Sequence, residues 1–202
     1  MDEYLIDTNV LFDMMNAETA DSKRVWAERR ARKAVLHLPV VALGEAGLGY
    51  CLKGIDRDAA RKDIETFLEG NGILVQDVTK HTADTYGEIK ARLVGQYQPN
   101  KAKWPEKWSH PVTGAELGID ECDLWIIAQA IERNLVLVTA DRMERLREVV
   151  KELRVENWRI ASGPRYPGRE TASPHDPTLR VTGPRSPRRL LRCMSLCRLN
   201  HR

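Results

Sequence analysis

The sequence predicts an α/β domain, a central parallel sheet of four to five strands flanked by helices. Short apolar runs alternate with amphipathic helical patterns from the amino end almost to Ile160, the layout of a parallel sheet covered by helices. Acids follow two of those runs, Asp7 after Tyr4–Ile6 and Asp141 after Leu135–Val138, as expected where strand ends line a crevice. A length of 202 residues, 42% of them apolar, is enough for one full-sized core.

The elements follow in order. Tyr4–Ile6 reads as the first strand, and Asp7-Thr8-Asn9 supplies residues that cap helices, here one over Thr8–Met15. A second helix covers Thr19–Lys33, followed by a strand at Val35–Leu38 and a helix at Val40–Lys53. Along that third helix the apolar stripe Val41, Leu48, Leu52 is interrupted by Glu45, whose spacing turns it inward. Gly44, Gly47 and Gly49 each weaken the helix by about 1 kcal/mol relative to Ala. Helix Arg57–Glu69, strand Ile73–Gln76 and helix Lys80–Val94 come next, then helix Ile119–Arg133, strand Leu135–Val138 and helix Arg142–Leu153. A weaker strand pattern lies near Asn157–Ile160.

Two stretches break the alternation. Residues 95–118 carry Pro99, Pro105 and Pro111 around Lys101, Lys103, Trp104, Lys107 and Trp108, too broken for a helix and too aromatic for a passive linker. They read as an insertion beside the site. Its lysines and tryptophans offer charge and stacking surfaces for single-stranded RNA, or else a small patch that fixes the loop or meets a partner. Residues 161–202 are rich in Pro, Arg and Ser and are expected to be a disordered tail, leaving a domain over residues 1–160. The net charge of +3 divides accordingly: the tail carries nine Arg and two acids, while the first 160 residues are net acidic. Overall basicity is therefore no sign that the domain itself binds nucleic acid. No apolar stretch is long enough to span a bilayer and the acidic opening is unlike a signal peptide, so a cytoplasmic protein without membrane association is expected. Cys51, Cys122, Cys193 and Cys197 form no paired framework, and reduced thiols are expected.

Several of the acids stand where charge is costly. Helical spacing places Asp120 and Asp123 on one face, directly above the apolar Leu124, Ile127 and Ile131. With Asp7, Glu45 and Asp141 they can share one pocket. Clustered carboxylates either take up protons or bind a hard cation. All-oxygen ligation suits Mg²⁺ or Mn²⁺, whereas zinc calls for a His/Cys set whose spacing the five His and four Cys do not show. A carboxylate-bound hard metal activates water and stabilises phosphoryl charge, which makes phosphodiester hydrolysis the natural reaction.

Leu5-Ile6-Asp7-Thr8-Asn9-Val10, the inward Glu45, the run from Asp123 to Ala130, and Leu137-Val138-Thr139-Ala140-Asp141 together resemble the successive motifs of a PIN domain. Their order is similar to that in VapC-type toxins of toxin–antitoxin pairs, over about residues 3–153. The resemblance implies a PIN-like three-layer fold and a Mg²⁺-dependent endoribonuclease that is blocked by a cognate antitoxin and assembles as a homodimer. Matched position by position, Asp7, Glu45 and Asp123 correspond to the three core acids and Asp141 to the fourth, all catalytic and metal-binding, with Thr8, Asn9 and Thr139 in support. Cys122 stands where such proteins commonly carry a polar residue, often Asn.

Plainer roles are open to some of these residues. Asp120 is more simply a helix cap, Asp141 can also cap the helix that follows it, and Glu45 can instead pair with an arginine in the core. The alternative function is a catalytically degraded PIN-shaped module that binds RNA or protein. An aspartyl-phosphate phosphatase is disfavoured because position 9 holds Asn9 where a second Asp would be needed.

Overall fold

The computed structural model describes residues 2–16, 18–97, 118–141 and 144–160. Five parallel strands, β1 (Glu3–Ile6), β2 (Val35–Pro39), β3 (Leu74–Gln76), β4 (Val136–Val138) and β5 (Val155–Glu156), form one sheet in the order β3-β2-β1-β4-β5. Seven helices among the described residues flank it: α1 (Thr8–Met15), α2 (Ala20–Arg32), α3 (Val40–Leu52), α4 (Arg57–Gly70), α5 (Lys80–Tyr97), α6 (Glu121–Glu132) and α7 (Glu144–Val149). The expected three-layer α/β architecture is therefore the observed one.

Central strands covered on both faces must be apolar at every position rather than at alternate ones. Leu5, Ile6, Leu137 and Val138 are fully buried, and register pairs Leu5 with Leu137 and Ile6 with Val138. From β1 the chain winds outward through β2 to β3, then returns to the other side of β1 for β4 and β5. The direction of winding reverses between β1 and β4, and that reversal opens a crevice beyond their carboxyl ends, where open α/β sheets bind ligands.

Local chemistry sets the helix starts. Asp56 caps α4 by accepting from the Asp58 and Ala59 amides, and Ala60, Ile64 and Leu68 then repeat at the helical period along its buried face. Gly118 enters α6 at φ +68°, a region other residues adopt with strain. It is followed by a capping box: the Asp120 side chain accepts from the Asp123 amide and the Asp123 side chain accepts from the Asp120 amide, both at 2.9 Å.

Four expectations need correction. The buried line of α3 is Ala42, Ala46 and Gly49, not Val41, Leu48 and Leu52; Leu52 is 64% exposed. Small residues let α3 pack closely on its neighbours, while the larger apolar side chains take the shoulders of the contact. The last strand is Val155–Glu156 rather than a segment near Asn157–Ile160, because Leu137 and Val138 pair with those two residues. The last helix ends at Val149, short of Leu153, which turns into the core. Finally, α5 runs on to Tyr97, past the expected end at Val94. Lys101, Lys103, Trp104, Lys107, Trp108 and the tail 161–202 lie outside the described residues.

Trp158 shows how the far edge is held. It is buried edge-on against Tyr4 at 5.1 Å between ring centroids, and its indole N–H donates to Glu156 at 2.8 Å. Arg32 lies over the same indole and pairs with Glu156 at 2.9 Å. Trp158→Ala is expected to cost about 3–5 kcal/mol, as for other fully buried aromatics. Equilibrium denaturation would measure it, and a loss below about 1 kcal/mol would show that β5 docks without this anchor.

Candidate metal centre

The crevice at the winding reversal collects acids from four places in the chain. Asp7 leaves β1 with its backbone N–H bonded to the Val138 carbonyl at 3.0 Å, so the first strand's acid is fixed against the end of β4. Its carboxylate, only 4% exposed, accepts from the Thr8 amide at 2.6 Å, the Asn9 side-chain amide at 2.7 Å and the Thr139 hydroxyl at 2.8 Å. Asp7 thus caps α1 and faces the crevice at once, so the capping and site roles coexist.

Asn9 and Thr139 form a brace beneath the acids. The Asn9 side-chain amide donates to Asp141 at 2.9 Å, while its carbonyl accepts from the Ala140 backbone at 3.2 Å. Thr139 donates to Asp7 and accepts from the Asp141 backbone at 3.1 Å. The turn after β4 is therefore shaped by groups from β1 and α1, and the exposed Asp141 is held at its lip. Glu45 arrives from α3 and accepts from the Thr8 hydroxyl at 2.5 Å. Asp123, in the first turn of α6, is the half-buried fourth member.

Electrostatics show what the protein leaves uncompensated. Burial, with smaller repulsion from Asp141 and Glu45, pushes the Asp7 carboxyl up to about 7 despite its hydrogen bonds. Loss of water, then repulsion from Asp120, Asp7 and Asp141, holds Asp123 well above the usual carboxylate range. Among the described residues no lysine or arginine forms an ion pair with Asp7 or Asp123. Buried, crowded carboxylates without a cationic side chain are a donor set suited to a hard divalent ion, which would neutralise the repulsion and hold the groups ionised. Asp7, Asp123, Glu45 and Asp141 can all reach such an ion's neighbourhood.

One neighbour was not legible beforehand. Donor atoms of Glu45, Asp120 and Cys122 lie within 4.8 Å of one another, all three residues being half-buried. Asp120 is a cap, as its position predicts, but it also joins this group. Cys122 escapes a search for metal spacing because its neighbours are carboxylates and one of them comes from a distant helix.

Comparisons with known proteins bear on the family and the fold. A comparison with the curated proteins finds no match. Among solved structures the chain is similar to VapBC2 from Rickettsia felis bound to a promoter DNA fragment and to VapBC-1 from nontypeable Haemophilus influenzae. Each shares 20% identity at a TM-score of 0.55, over 77% of this chain and 98% of the other. DNA-bound VapBC from Salmonella typhimurium matches at 20% identity and a TM-score of 0.51, over 78% of this chain and 99% of the other. At such identity these likenesses speak to fold. The comparison with protein families matches residues 4–152 to the PIN domain, a span from β1 to the residues after α7 that includes every acid of the crevice; the chain belongs to the PIN domain family.

Proposed function

We propose that the protein is a Mg²⁺-dependent endoribonuclease, the toxin of a toxin–antitoxin pair, with residues 1–160 as its nuclease domain and 161–202 as a dispensable tail. The observation that carries this reading is the crevice where Asp7, Glu45, Asp123 and Asp141 converge, with no cationic side chain among the described residues paired to Asp7 or Asp123. Asp7 and Asp123 hold the metal directly, Glu45 and Asp141 complete the negative field, and Thr8, Asn9, Asp120 and Thr139 keep them in place. Bound there, Mg²⁺, or Mn²⁺ in its stead, supplies an activated water and stabilises charge on a phosphoryl oxygen. The chain's own work is to pre-orient oxygen ligands. Asp7 cannot rotate because three donors grip it, and Asp141 is kept at the mouth by Asn9. No side-chain nucleophile is needed.

The toxin assignment draws on the likeness to VapBC complexes, whose second component is the expected kind of partner. A homodimer and a cytoplasmic site of action accord with it. No helix among the described residues is long and apolar enough to cross a membrane. Lys101, Lys103, Trp104, Lys107 and Trp108 of the insertion are proposed to contact the RNA strand, through phosphate charge and base stacking.

The test is cleavage of total cellular RNA by purified, partner-free protein. Discrete fragments are expected with Mg²⁺ and none with EDTA. Intact RNA in the presence of folded, metal-loaded protein would point instead to a PIN-shaped binding module.

A further inference from the structure

Charge is not spread evenly over the outside of the fold. The first 160 residues are net acidic, yet Thr19–Lys33, which is α2 with its two caps, carries six basic residues and two acids. Both acids are already taken up: Asp21 lies 4.0 Å from Arg24 and 3.8 Å from Arg159, and Glu28 pairs with Arg32 at 3.0 Å. Two of the arginines turn to the protein, Arg29 over Trp26 with a bond to the Asn71 carbonyl and Arg32 over Trp158. Lys23, Arg30 and Lys33 are left on the exposed side and form no ion pair among the described residues. Between them Ala27 and Ala31 are exposed, so the charged tips stand around a low surface that another chain can approach closely.

A solvated helix face ordinarily mixes its signs, as α4 does with three basic residues among four acids and an Arg61–Glu65 pair at 2.7 Å. The helix dipole favours cations in the last turn, which accounts for Arg30 and Lys33 but not for Lys23 at the amino end, where a cation is disfavoured. What these charges fit is a polyanion, and the position of α2 says which one. Arg24 donates to the Arg159 carbonyl at 2.9 Å, and the Arg159 guanidinium reaches the carbonyl of Asn9, the brace of Asp141, at 3.4 Å. The amino end of α2 therefore stands beside the lip of the crevice. From there the helix leads away, its far end meeting the Tyr4 hydroxyl through Arg32 at 3.4 Å. At 1.5 Å per residue Lys23 and Arg30 are about 10 Å apart along the axis, a track for a chain of phosphates rather than a socket for one. We propose that the outer face of α2, with Lys23, Arg30 and Lys33, is an exosite for the phosphate backbone of an RNA strand whose flank extends out of the crevice. It rests on the reading of the crevice as an RNA-cleaving centre, and its contacts position the strand without reading its sequence.

The test is binding of a fluorescent single-stranded RNA by full-length protein in EDTA, measured as affinity against salt. Every form keeps the arginine-rich tail, which contributes the same background. Each phosphate contact on a single strand adds about 0.7 to the slope of log affinity against log salt, so Lys23→Gln, Arg30→Gln and Lys33→Asn together are expected to make it shallower by about 2. Asn stands in at Lys33 because the backbone there has φ 51°, a region that Asn tolerates. A second variant with Arg57→Gln, Lys62→Gln and Lys151→Gln removes the same charge from exposed positions elsewhere and is expected to keep the wild-type slope. Equal slopes for wild type and the α2 variant, an equal loss in both variants, or no RNA binding by wild type overturns the exosite. RNA cleavage in Mg²⁺ is scored separately on the wild type. A shallower slope in the α2 variant alone, with no cleavage, removes the nuclease and keeps the exosite; cleavage with equal slopes does the reverse.

Discussion

Asp7→Asn is expected to abolish Mg²⁺-dependent RNA cleavage while leaving the metal-free protein at pH 8 at least as stable as wild type. The two effects have one cause. Asp7 is a nearly inaccessible carboxylate with no lysine or arginine paired to it among the described residues, so its charge opposes folding until a cation arrives. Asn keeps the shape and removes the charge. Some hydrogen bonding is lost, because the Thr8 amide, Asn9 and Thr139 all donate to the wild-type carboxylate and an amide offers one oxygen. That loss is worth about 1 kcal/mol, less than the burial of an unpaired charge. For catalysis, a metal contributes several kcal/mol of charge stabilisation, so its displacement lowers the rate by on the order of 10³-fold or more. Thermal melting in EDTA and a cleavage time course on the same preparation measure both. Retained cleavage would remove Asp7 from the centre, and a lower melting point would mean that its hydrogen bonds outweigh its burial.

The second large effect is on pH. Raising the Asp7 carboxyl from an ordinary 3.8 to about 7 means that the folded state holds a proton which the unfolded chain has already released. Between those values the unfolded chain binds fewer protons, so stability falls as pH rises. The contribution is fully present below about pH 4 and gone above about pH 7, and its size is about 4 kcal/mol. Asp123 shifts in the same direction and steepens the decline. Glu132 and Glu152 are shifted downward, so their effects are lost on acidification below the ordinary glutamate range, whereas Glu121, raised by burial, adds to the decline on the crevice's side of that range. Denaturant unfolding in EDTA should show the decline. Saturating Mg²⁺ should flatten it, since a ligand that binds only the folded state adds stability where the carboxylates are ionised, and Asp7→Asn should make it shallower without metal. A flat profile for metal-free wild type would show that Asp7 is neutralised in another way.

The strands that build the crevice were readable because a buried parallel strand has to be apolar throughout, and Tyr4–Ile6 and Val136–Val138 are. Asp7 and Asp141 were readable for the same reason, as charges abutting such runs. The periodicity of α3 was misleading because helix 40–52 is apolar nearly all round. A stripe sought among large side chains missed the line of Ala42, Ala46 and Gly49, whose small size is what permits close packing. Strand β5 was misplaced because Trp158 and Ile160 mimic an alternating strand, whereas pairing with Leu137 selects Val155 and sends Trp158 into the core against Tyr4. The Asn9–Asp141 and Glu45–Thr8 bonds join residues far apart in sequence, and no local pattern encodes such pairings.

The bond from Thr139 to Asp7 spans 132 residues, and the strands that carry the two lie side by side at the middle of the sheet. Asp7 leaves the ribosome well before the turn that grips it, with β2, β3 and six of the helices made in between. Contacts so distant in sequence form late and slowly, since the intervening loop must close first. A growing or truncated chain that stops before β4 therefore carries Asp7, Glu45 and the α1 cap without a working crevice. The crevice is therefore completed as a whole, by the last strands of the sheet to be made.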